Sequence, residues 1–578
     1  MKNKLQKSGQ KVFRKFSRAS FRASEEGKEH IKENLISRFS HISNIKLLIV
    51  EWGLLVGALI MLAIAQAFWF GDSYAENTFT DGGNYTEATL GDVSSMNPLF
   101  AATDSEKVLS KLMFATLSTV DYSGHTGIGM AKSIRSNEDG SVWTVKLRDG
   151  LKWSDGEPIT KEDVLFTAEL IKNPAVNTIY DTNLAKVKVS EDADGAIVFT
   201  LPNPYVDFIT SLNIPILPKH VLAEADPSTL IEHNFSNAPV TSGAFNYNAM
   251  QATSGGNEKV FYLSANPNYY MGKVMLEGFA VHTYSDKNEI INALNSGSVT
   301  ATAEISGADT EKVTSNNFNV RESSLNAGAF IFFNTSHDLL KNVDMRKTIR
   351  QGLNLDKIRD AAPGTSALDF PLLDSQIKLS TYPKVPDYDY TAAKAHLAEL
   401  IGDDAKHLDI ATVNAGYLPG VAEAVKSELE GLGFEVGLTV YDENQEFITN
   451  IIAKRSYDIL IYEIELGAEP DLLPYFHSSQ TNDSGFNLSN YRNVMMDDLL
   501  LSARDVVDKD LKVKKYETFL EHWMNGVPAV GLYQPNLTYY YNKNVRTFGD
   551  NVRLATALDR FTDIESWAAM KATKNKTP

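Results

Sequence analysis

The sequence contains no cysteine. Disulfide bonds, thiol nucleophiles and thiolate metal sites are therefore excluded. An amino-terminal cysteine that could carry a lipid is excluded as well. If the chain is held at a membrane, one of its own polypeptide segments must do it.

Common catalytic and nucleotide-binding motifs are also missing. The patterns G-x-S-x-G, G-x-x-x-x-G-K-[ST] and H-E-x-x-H do not occur, and no two of the eleven histidines are three or four residues apart. Residues 192–195 (DADG) resemble the start of a calcium loop but lack its remaining ligands, so we interpret them as a hairpin turn. We expect no catalytic residues, no metal ligands and no cofactor.

The chain as a whole lacks the basic surface that nucleic-acid binding requires, because its formal net charge is −18. Residues 1–46 are an exception: they contain twelve Lys or Arg and four Glu, a surplus of eight positive charges, so the other residues together carry −26. We interpret residues 1–46 as a basic cytoplasmic arm that contacts anionic lipid. We expect no nucleic-acid partner.

Residues 47–70 form a long apolar run in which Glu51 carries the only charge. As a helix this run would span the hydrocarbon core of a bilayer, which is about 30 Å thick. Positive charge before a first helix marks the cytoplasmic side. We therefore predict a single-pass protein of the cell membrane with a cytoplasmic amino terminus and a large extracytoplasmic domain. A cleaved secretory signal is the alternative, because residues 65–67 (AQA) and 73–75 (SYA) resemble cleavage sites.

The remaining chain shows alternating helix and strand patterns. Residues 131–147 predict a hairpin that turns at residues 137–140 (NEDG), and Thr160 with Asp163 predicts a helix start. Thr391 is also predicted to cap a helix. A strand at 408–413, a helix at 421–432 ended by Gly433, and a strand at 436–440 predict a parallel strand-helix-strand unit.

One segment carries a family resemblance. Residues 143–164 (WTVKLRDGLKWSDGEPITKEDV) resemble the signature region of family 5 extracellular solute-binding proteins, the oligopeptide, dipeptide and nickel-binding receptors of ABC importers. Residues 216–222 (ILPKHVL), 238–245 (APVTSGAF) and 528–533 (PAVGLY) are similar to later family segments. In residues 265–270 (ANPNYY), Tyr270 stands where the family usually has tryptophan. The resemblance extends from residue 82 to about residue 567.

The resemblance implies an α/β, periplasmic-binding-protein-like fold of class II, with two lobes of mixed sheets, a hinge and the extra subdomain of the peptide-binding cluster. Here one transmembrane helix precedes this fold. The implied organisation is a basic arm 1–46, an anchor 47–70, a linker 71–81, a first lobe 82–330 with the extra subdomain at about 126–235, a second lobe 331–530, a return to the first lobe 531–570, and a tail 571–578.

The implied function is that of a membrane-anchored extracytoplasmic receptor, not an enzyme. It would act as a monomer, capture a peptide-like solute between its lobes and deliver it to the permease subunits of an ABC importer. Three alternatives remain open: a sensor or chaperone-like binder with the same fold, a receptor for a metal chelate, haem or oligosaccharide, and a hydrolase that uses Glu463, Glu465, Glu469 and Asp471.

In peptide-binding relatives the ligand backbone pairs with a protein strand. That strand corresponds here to Tyr462, Glu463, Ile464, Glu465 and Leu466, and the resemblance places the ladder on the main chain of Tyr462 and Ile464. Many of these receptors have an aspartate at the position of Leu466, where it pairs with the ligand's ammonium group. Glu463 and Glu465 either supply this carboxylate from a shifted position or face solvent and rim cations. Further cleft candidates by family position, with core packing as the alternative for the aromatic ones, are Asn97, Trp153, Tyr417, Phe486 and Asn487.

Overall fold

The structure, a computed structural model, describes residues 46–176, 178, 180, 184–253, 258–401, 406–442, 445–483 and 485–575. The predicted basic arm, except Lys46, and residues 576–578 of the predicted tail lie outside the described residues. Phe79–Lys571 form one compact unit, and the described residues 46–78 and 572–575 belong to another.

The regular elements follow one another along the whole described chain. The strands are β1 (Ala75–Thr80), β2 (Asn84–Leu90), β3 (Ser118–Val120), β4 (Thr126–Ile128), β5 (Ala131–Ser136), β6 (Val142–Leu147), β7 (Lys188–Glu191), β8 (Ile197–Thr200), β9 (Phe245–Ala252), β10 (Glu258–Ala265), β11 (Gly278–Tyr284), β12 (Ala301–Thr302), β13 (Phe318–Ser324), β14 (Ala327–Phe333), β15 (Ser366–Ala367), β16 (His407–Val413), β17 (Glu435–Tyr441), β18 (Ile459–Glu465), β19 (Ala529–Gln534), β20 (Asn536–Asn542) and β21 (Met570–Asn575). The α-helices are α1 (Lys46–Tyr74), α2 (Asp104–Met113), α3 (Lys161–Lys172), α4 (Lys219–Leu222), α5 (Lys287–Ser296), α6 (Val343–Gly352), α7 (Leu355–Arg359), α8 (Tyr390–Ile401), α9 (Leu418–Leu432), α10 (Gln445–Phe447), α11 (Leu473–Phe476), α12 (Val494–Arg504) and α13 (Lys509–Gly526).

The smaller unit consists of α1 and most of the two-stranded sheet formed by β1 and β21. In the part of the chain that the structure describes, no helix combines the length and the hydrophobicity expected of a membrane span.

The first lobe is built on a seven-stranded mixed sheet in the order β13-β20-β12-β2-β11-β10-β9. Strands β11 and β12 run parallel to β2, and the other neighbours are antiparallel. Because side chains alternate along a strand, the sheet buries one face under α2, where Tyr85 and Tyr539 lie, and the other under α5, where Ala88 and Tyr540 lie. A four-stranded antiparallel sheet, β5-β6-β8-β7, shares the first of these cores with α3.

The second lobe has its own core around a six-stranded sheet in the order β15-β19-β14-β18-β16-β17. All seven residues of β14 are buried, as expected of a strand at the centre of a sheet that is covered on both faces. Strand β16 is parallel to β17 and β18, whereas β14 is antiparallel to β18 and β19. The two-lobed α/β architecture that the resemblance implies is therefore confirmed.

The chain passes between the lobes twice, and the two passages lie side by side. The first connects β13 to β14, and the second connects β19 to β20. The Leu325 N–H donates to the Pro535 carbonyl (3.0 Å), and Gln534 Nε2 donates to the Leu325 carbonyl (2.8 Å). These paired segments are the only covalent links between the two sheets within the described residues.

Most element predictions agree with the structure. The hairpin β5–β6, the Thr160–Asp163 capping box and the parallel β16-α9-β17 unit are confirmed. Residues 192–195 form the β7–β8 turn, as predicted. The prediction that Thr391 caps a helix is wrong: α8 begins at Tyr390, and the Asp389 carboxylate accepts the Ala392 N–H (2.9 Å) as the cap.

Candidate functional site

Strand β18 contains four of the five residues predicted to pair with a ligand, and Leu466 follows directly after it. The strand has different neighbours along its length. Strand β14 pairs with all of β18, from Ile459 to Glu465. On the other side, β16 pairs only at Ile459 and Leu460, and the Thr412 hydroxyl donates to the Ile461 carbonyl (2.8 Å). Beyond this point no described strand lies along that edge of β18.

Hydrogen bonds at both ends of β18 show which main-chain groups face β14. The Asn334 N–H donates to the Asp458 carbonyl (2.9 Å), and the Leu466 N–H donates to the Asn326 carbonyl (2.7 Å). Since main-chain groups alternate in direction along a strand, the even-numbered residues of β18 direct theirs to β14.

This register moves the predicted ladder by one residue. The main-chain groups of Tyr462 and Ile464, which the resemblance assigns to the ladder, face β14. The odd-numbered Glu463 and Glu465 direct their main-chain groups towards the edge that β16 does not cover. The Glu465 carbonyl lies within 2.5 Å of the Tyr475 hydroxyl, which donates to it.

The side chain of Glu463 is part of a cluster of side chains in the second lobe that also contains Tyr533 and Tyr417. The Tyr533 hydroxyl donates to Glu463 Oε1 (2.7 Å), and the Tyr417 ring lies edge-on to the Tyr533 ring at 6.4 Å. Burial and the Glu463 carboxylate raise the pKa of Tyr533, so this phenol stays protonated and remains a donor. Tyr417 extends from the second lobe to the first, since a Cβ on Gly307 would lie 3.2 Å from its ring.

Glu465 faces charged residues of the first lobe. Its side chain reaches solvent, yet the surrounding protein displaces part of its hydration and raises its pKa. Lys107 on α2 opposes this rise, whereas Asp559 and Asp104 add to it. Glu465 therefore carries a carboxylate into the space between the lobes, with one cation and two further acids nearby.

Leu466 is buried and takes no part in this polar surface. Gln376 Nε2 donates to the carbonyls of Leu466 (2.6 Å), Gly467 (3.1 Å) and Glu469 (3.3 Å) and so fixes the loop that follows β18. Sequence reasoning missed this anchor because Gln376 lies 90 residues away from Leu466.

Asn97 and Trp153 are both fully buried in the first lobe. The Asn97 side chain accepts the Leu99 N–H (3.2 Å), while its Nδ2 and the Trp153 Nε1 have no hydrogen-bond partner among the described residues. The Trp153 ring lies 6.3 Å from the His220 ring. The structure thus places these two predicted site residues in the interior of the first lobe.

Phe486 and Asn487 differ from each other in environment. Phe486 is 47% exposed, whereas Asn487 is fully buried. Asn487 Nδ2 donates to the carbonyls of His477 (3.2 Å) and Tyr491 (2.8 Å), and its own carbonyl accepts Arg455 Nε (3.1 Å). These bonds give Asn487 a structural role in the loop before α12.

The described residues contain no group of three or more His, Asp or Glu side chains arranged to hold a metal ion. Two acids of the hydrolase alternative, Glu469 and Asp471, contact different partners. Asp471 accepts Arg504 Nε (3.0 Å), and Glu469 Oε1 lies 3.4 Å from His125 Nδ1.

Sequence reasoning also missed a set of contacts that joins the two lobes. The Tyr205 hydroxyl donates to Asp471 (3.3 Å), its ring lies 4.5 Å from the Arg504 guanidinium, and the Val206 N–H donates to the Arg504 carbonyl (2.8 Å). Nearby, Asp207 pairs with Lys512, and both side chains are less than one-fifth exposed. We call Tyr205, Asp207, Asp471, Arg504 and Lys512 the inter-lobe latch.

The fold and sequence have clear relatives. The oligopeptide-binding protein AppA of Bacillus subtilis is 23% identical over 482 residues, which cover 79% of this chain and 87% of that protein. The structure of B. subtilis AppA in complex with a nonapeptide superposes with a TM-score of 0.72 at 21% identity, covering 85% of this chain and 99% of that one. NikZ from Campylobacter jejuni in complex with Ni(L-His) gives 0.71 at 21% identity, covering 84% and 99%.

A family model described as bacterial extracellular solute-binding proteins, family 5, matches residues 128–486. The match covers more than half of the chain and includes the whole four-stranded sheet, the first passage between the lobes and β18. The chain therefore belongs to the family 5 bacterial extracellular solute-binding proteins.

Proposed function

We propose that this protein captures a peptide-like solute between its lobes and delivers it to the permease of an ABC importer. The observation that carries the proposal is the edge of β18, along which the pairing with β16 stops at Leu460 while β18 continues to Glu465. A strand edge of this kind can add an extended ligand through main-chain hydrogen bonds, which bind without regard to side-chain identity. The peptide-bound state of the similar AppA structure supports this choice of ligand.

In this proposal the ladder lies on the main chain of Glu463 and Glu465. The Glu465 carboxylate receives the ammonium group that an aspartate binds in many peptide receptors. Tyr417 and Tyr533 form the wall beside the ligand. Leu466, which has no charge, does not bind the ammonium group. Asn97 and Trp153 support the first-lobe wall from behind, and Phe486 lies at the rim.

We further propose that residues 47–70 tether the receptor, with the arm 1–46 in the cytoplasm and the lobes outside. Support comes from the apolar composition of this run and from the basic residues before it. Along α1, apolar side chains from Val50 to Ile64 are about half exposed or more, as suits a helix in a lipid environment. Alkaline carbonate extraction and protease accessibility of cells would test the tether, since a cleaved chain would be released.

Native mass spectrometry of the full-length chain in detergent, followed by denaturing release of bound material, tests the ligand class. A mixture of short peptides is the expected result, because main-chain recognition tolerates many sequences. A single non-peptide species would refute the peptide assignment while leaving the solute-binding assignment intact. If nothing co-purifies, calorimetric titration with a pool of synthetic peptides makes the same distinction.

A further inference from the structure

Four arginines are more than nine-tenths buried in the described residues: Arg346, Arg350, Arg455 and Arg560. A buried guanidinium is costly unless hydrogen bonds or a counter-charge compensate it. The four arginines differ in how this cost of burial is compensated.

Three of these arginines are well compensated. Arg560 pairs with the buried Glu87 carboxylate through Nε (3.1 Å) and Nη2 (2.6 Å). Arg346 donates to carbonyls that include those of Leu340 (2.6 Å) and Val527 (3.0 Å). Arg455 donates to the carbonyls of the loop that it supports. Each has at least one direct acceptor within about 3 Å.

Arg350 differs from the other three. It lies in the last turn of α6 and is 5% exposed, and its Nε is buried without a hydrogen-bond partner in the described part of the chain. No other acceptor for its guanidinium is found among those residues. Burial lowers the pKa of Arg350 to about 10, a shift that Asp369 opposes and Arg359 increases.

The nearby carboxylate is already used. Asp369 Oδ1 accepts Arg359 Nη2 (2.7 Å), and Arg359 Nε donates to the Leu532 carbonyl (2.7 Å). Arg359 Nη1 also lies 3.8 Å from the exposed Asp356 carboxylate. Both carboxylates therefore pair with Arg359, and neither is a direct acceptor for Arg350. The Asp369 side chain is 36% exposed, so solvent reaches the carboxylate that pairs with Arg359.

We propose that Arg350 is the anchor of a small-anion site in the second lobe, which binds an inorganic anion such as chloride or phosphate with Arg359 beside it. The anion supplies the acceptor that Arg350 otherwise lacks, as buried polar groups in native proteins generally require. This site lies on α6 and α7 and is separate from the strand edge of β18. It is independent of which solute the cleft binds.

Thermal unfolding of the full-length chain in detergent tests the site. Sodium gluconate, whose anion is too large, is replaced stepwise by sodium chloride or, in a second series, by sodium phosphate at constant ionic strength. The unfolding midpoint of the wild type rises to a plateau, by about 2–3 °C at a concentration a hundredfold above the dissociation constant. The anion that saturates at the lower concentration is the preferred occupant.

Arg350→Met abolishes the saturable rise, whereas the exposed first-lobe control Arg135→Met retains it. If Arg350→Met does not fold, Arg350→Gln removes the charge but keeps a polar side chain, and the same loss is expected. An equal rise in the wild type and the Arg350 variant, or no rise in the wild type, overturns the proposal. Neither result bears on peptide binding, which is measured separately.

Discussion

Glu465 lies one residue before the position where many peptide receptors carry an aspartate, and its carboxylate faces the first lobe. We predict that Glu465→Gln weakens the binding of a peptide with a free amino terminus about tenfold, which corresponds to about 1.4 kcal/mol. The physical reason is that the amide keeps the shape of the side chain but loses the charge opposite the ammonium group. Isothermal titration calorimetry with the free peptide and its acetylated form measures the effect.

The acetylated peptide is the internal control, because it has no ammonium group and should bind both forms of the receptor equally. Glu138→Gln, in the exposed β5–β6 turn, is the matched control variant. If Glu465→Gln weakens both peptides to the same extent, amine recognition by this residue is contradicted.

Glu304 is a second acid whose surroundings shift its pKa. Burial and Asp104 raise its pKa from 4.5 to about 8, against the opposing effect of Arg560. The protonated form is thus favoured by folding, so this contribution is complete below about pH 4.5 and is lost as the pH rises through about 8.

Glu304→Gln should therefore raise the free energy of unfolding by about 1–3 kcal/mol at pH 8.5, with little change at pH 4.5. Urea denaturation at several pH values between 4.5 and 9 measures this. Glu423→Gln, an exposed substitution on α9, should leave the pH profile unchanged. If the free energies of unfolding of Glu304→Gln and the wild type changed in parallel with pH, the predicted effect of Glu304 on stability would be ruled out.

Single residues of the site were the hardest part to predict. The family resemblance indicated the segment 462–466, of which residues 462–465 belong to β18. It could not show which main-chain groups face a ligand, because that depends on β14 lying on one side of β18. Leu466 shows the same limit: its family position suggested a role in the cleft, whereas Gln376 holds its carbonyl and the side chain is buried. Both facts depend on contacts with residues far away in the sequence.

At the scale of an element, the loop that carries Asn97 is organised by one carboxylate. Glu106 accepts the N–H groups of Ser94 (2.8 Å), Ala102 (2.9 Å) and Thr103 (3.1 Å). Burial raises the pKa of Glu106, but these hydrogen bonds and one from the Ser94 hydroxyl outweigh it and the net pKa is lowered. Its stabilising contribution is therefore present above about pH 4.5 and is lost as the pH falls through the lowered value.

Glu106→Gln should lower the free energy of unfolding by about 1–3 kcal/mol at pH 7, because an amide NH₂ cannot accept the N–H groups that the second carboxylate oxygen accepts. Urea denaturation measures the loss. Glu169→Gln on the exposed side of α3 is the control and should unfold like the wild type. A Glu106→Gln protein as stable as the wild type would show that the loop does not depend on this charge.

Elements themselves followed well from local patterns. The spacing of Val421, Val425 and Leu429 with Gly433 at the end predicted α9, because one face of that helix is buried and the glycine adopts a left-handed conformation (φ +107°). The prediction that Thr391 caps α8 failed because Asp389, two residues earlier, is an equally good cap. The choice between the two depends on how α8 packs.

At the scale of the whole molecule, the inter-lobe latch brings together residues that are hundreds of positions apart, and no sequence pattern indicated it. Lys512 and Asp207 are separated by 305 residues. We predict that Lys512→Met lowers the ratio of closed to open molecules about five- to tenfold in the absence of solute, since it leaves a largely enclosed Asp207 without its cation.

Single-molecule energy transfer between dyes on the two lobes measures this ratio. The absence of cysteine makes S136C and S427C, both at exposed positions, the only attachment sites. Lys514→Met, exposed on the same helix α13, is the control and should leave the distribution unchanged. Identical distributions for Lys512→Met and the wild type would mean that the latch does not hold the lobes together.

The two passages between the sheets have a consequence for the order in which a growing chain can fold. All six strands of the second-lobe sheet lie within residues 327–534, whereas the first-lobe sheet needs β20, which lies between β13 and β12. During synthesis the second lobe is therefore complete while the first-lobe sheet still lacks the strand that joins its edge strand β13 to β12. A chain interrupted at residue 535 would keep one finished lobe beside an open sheet, a state that quality-control proteases can recognise.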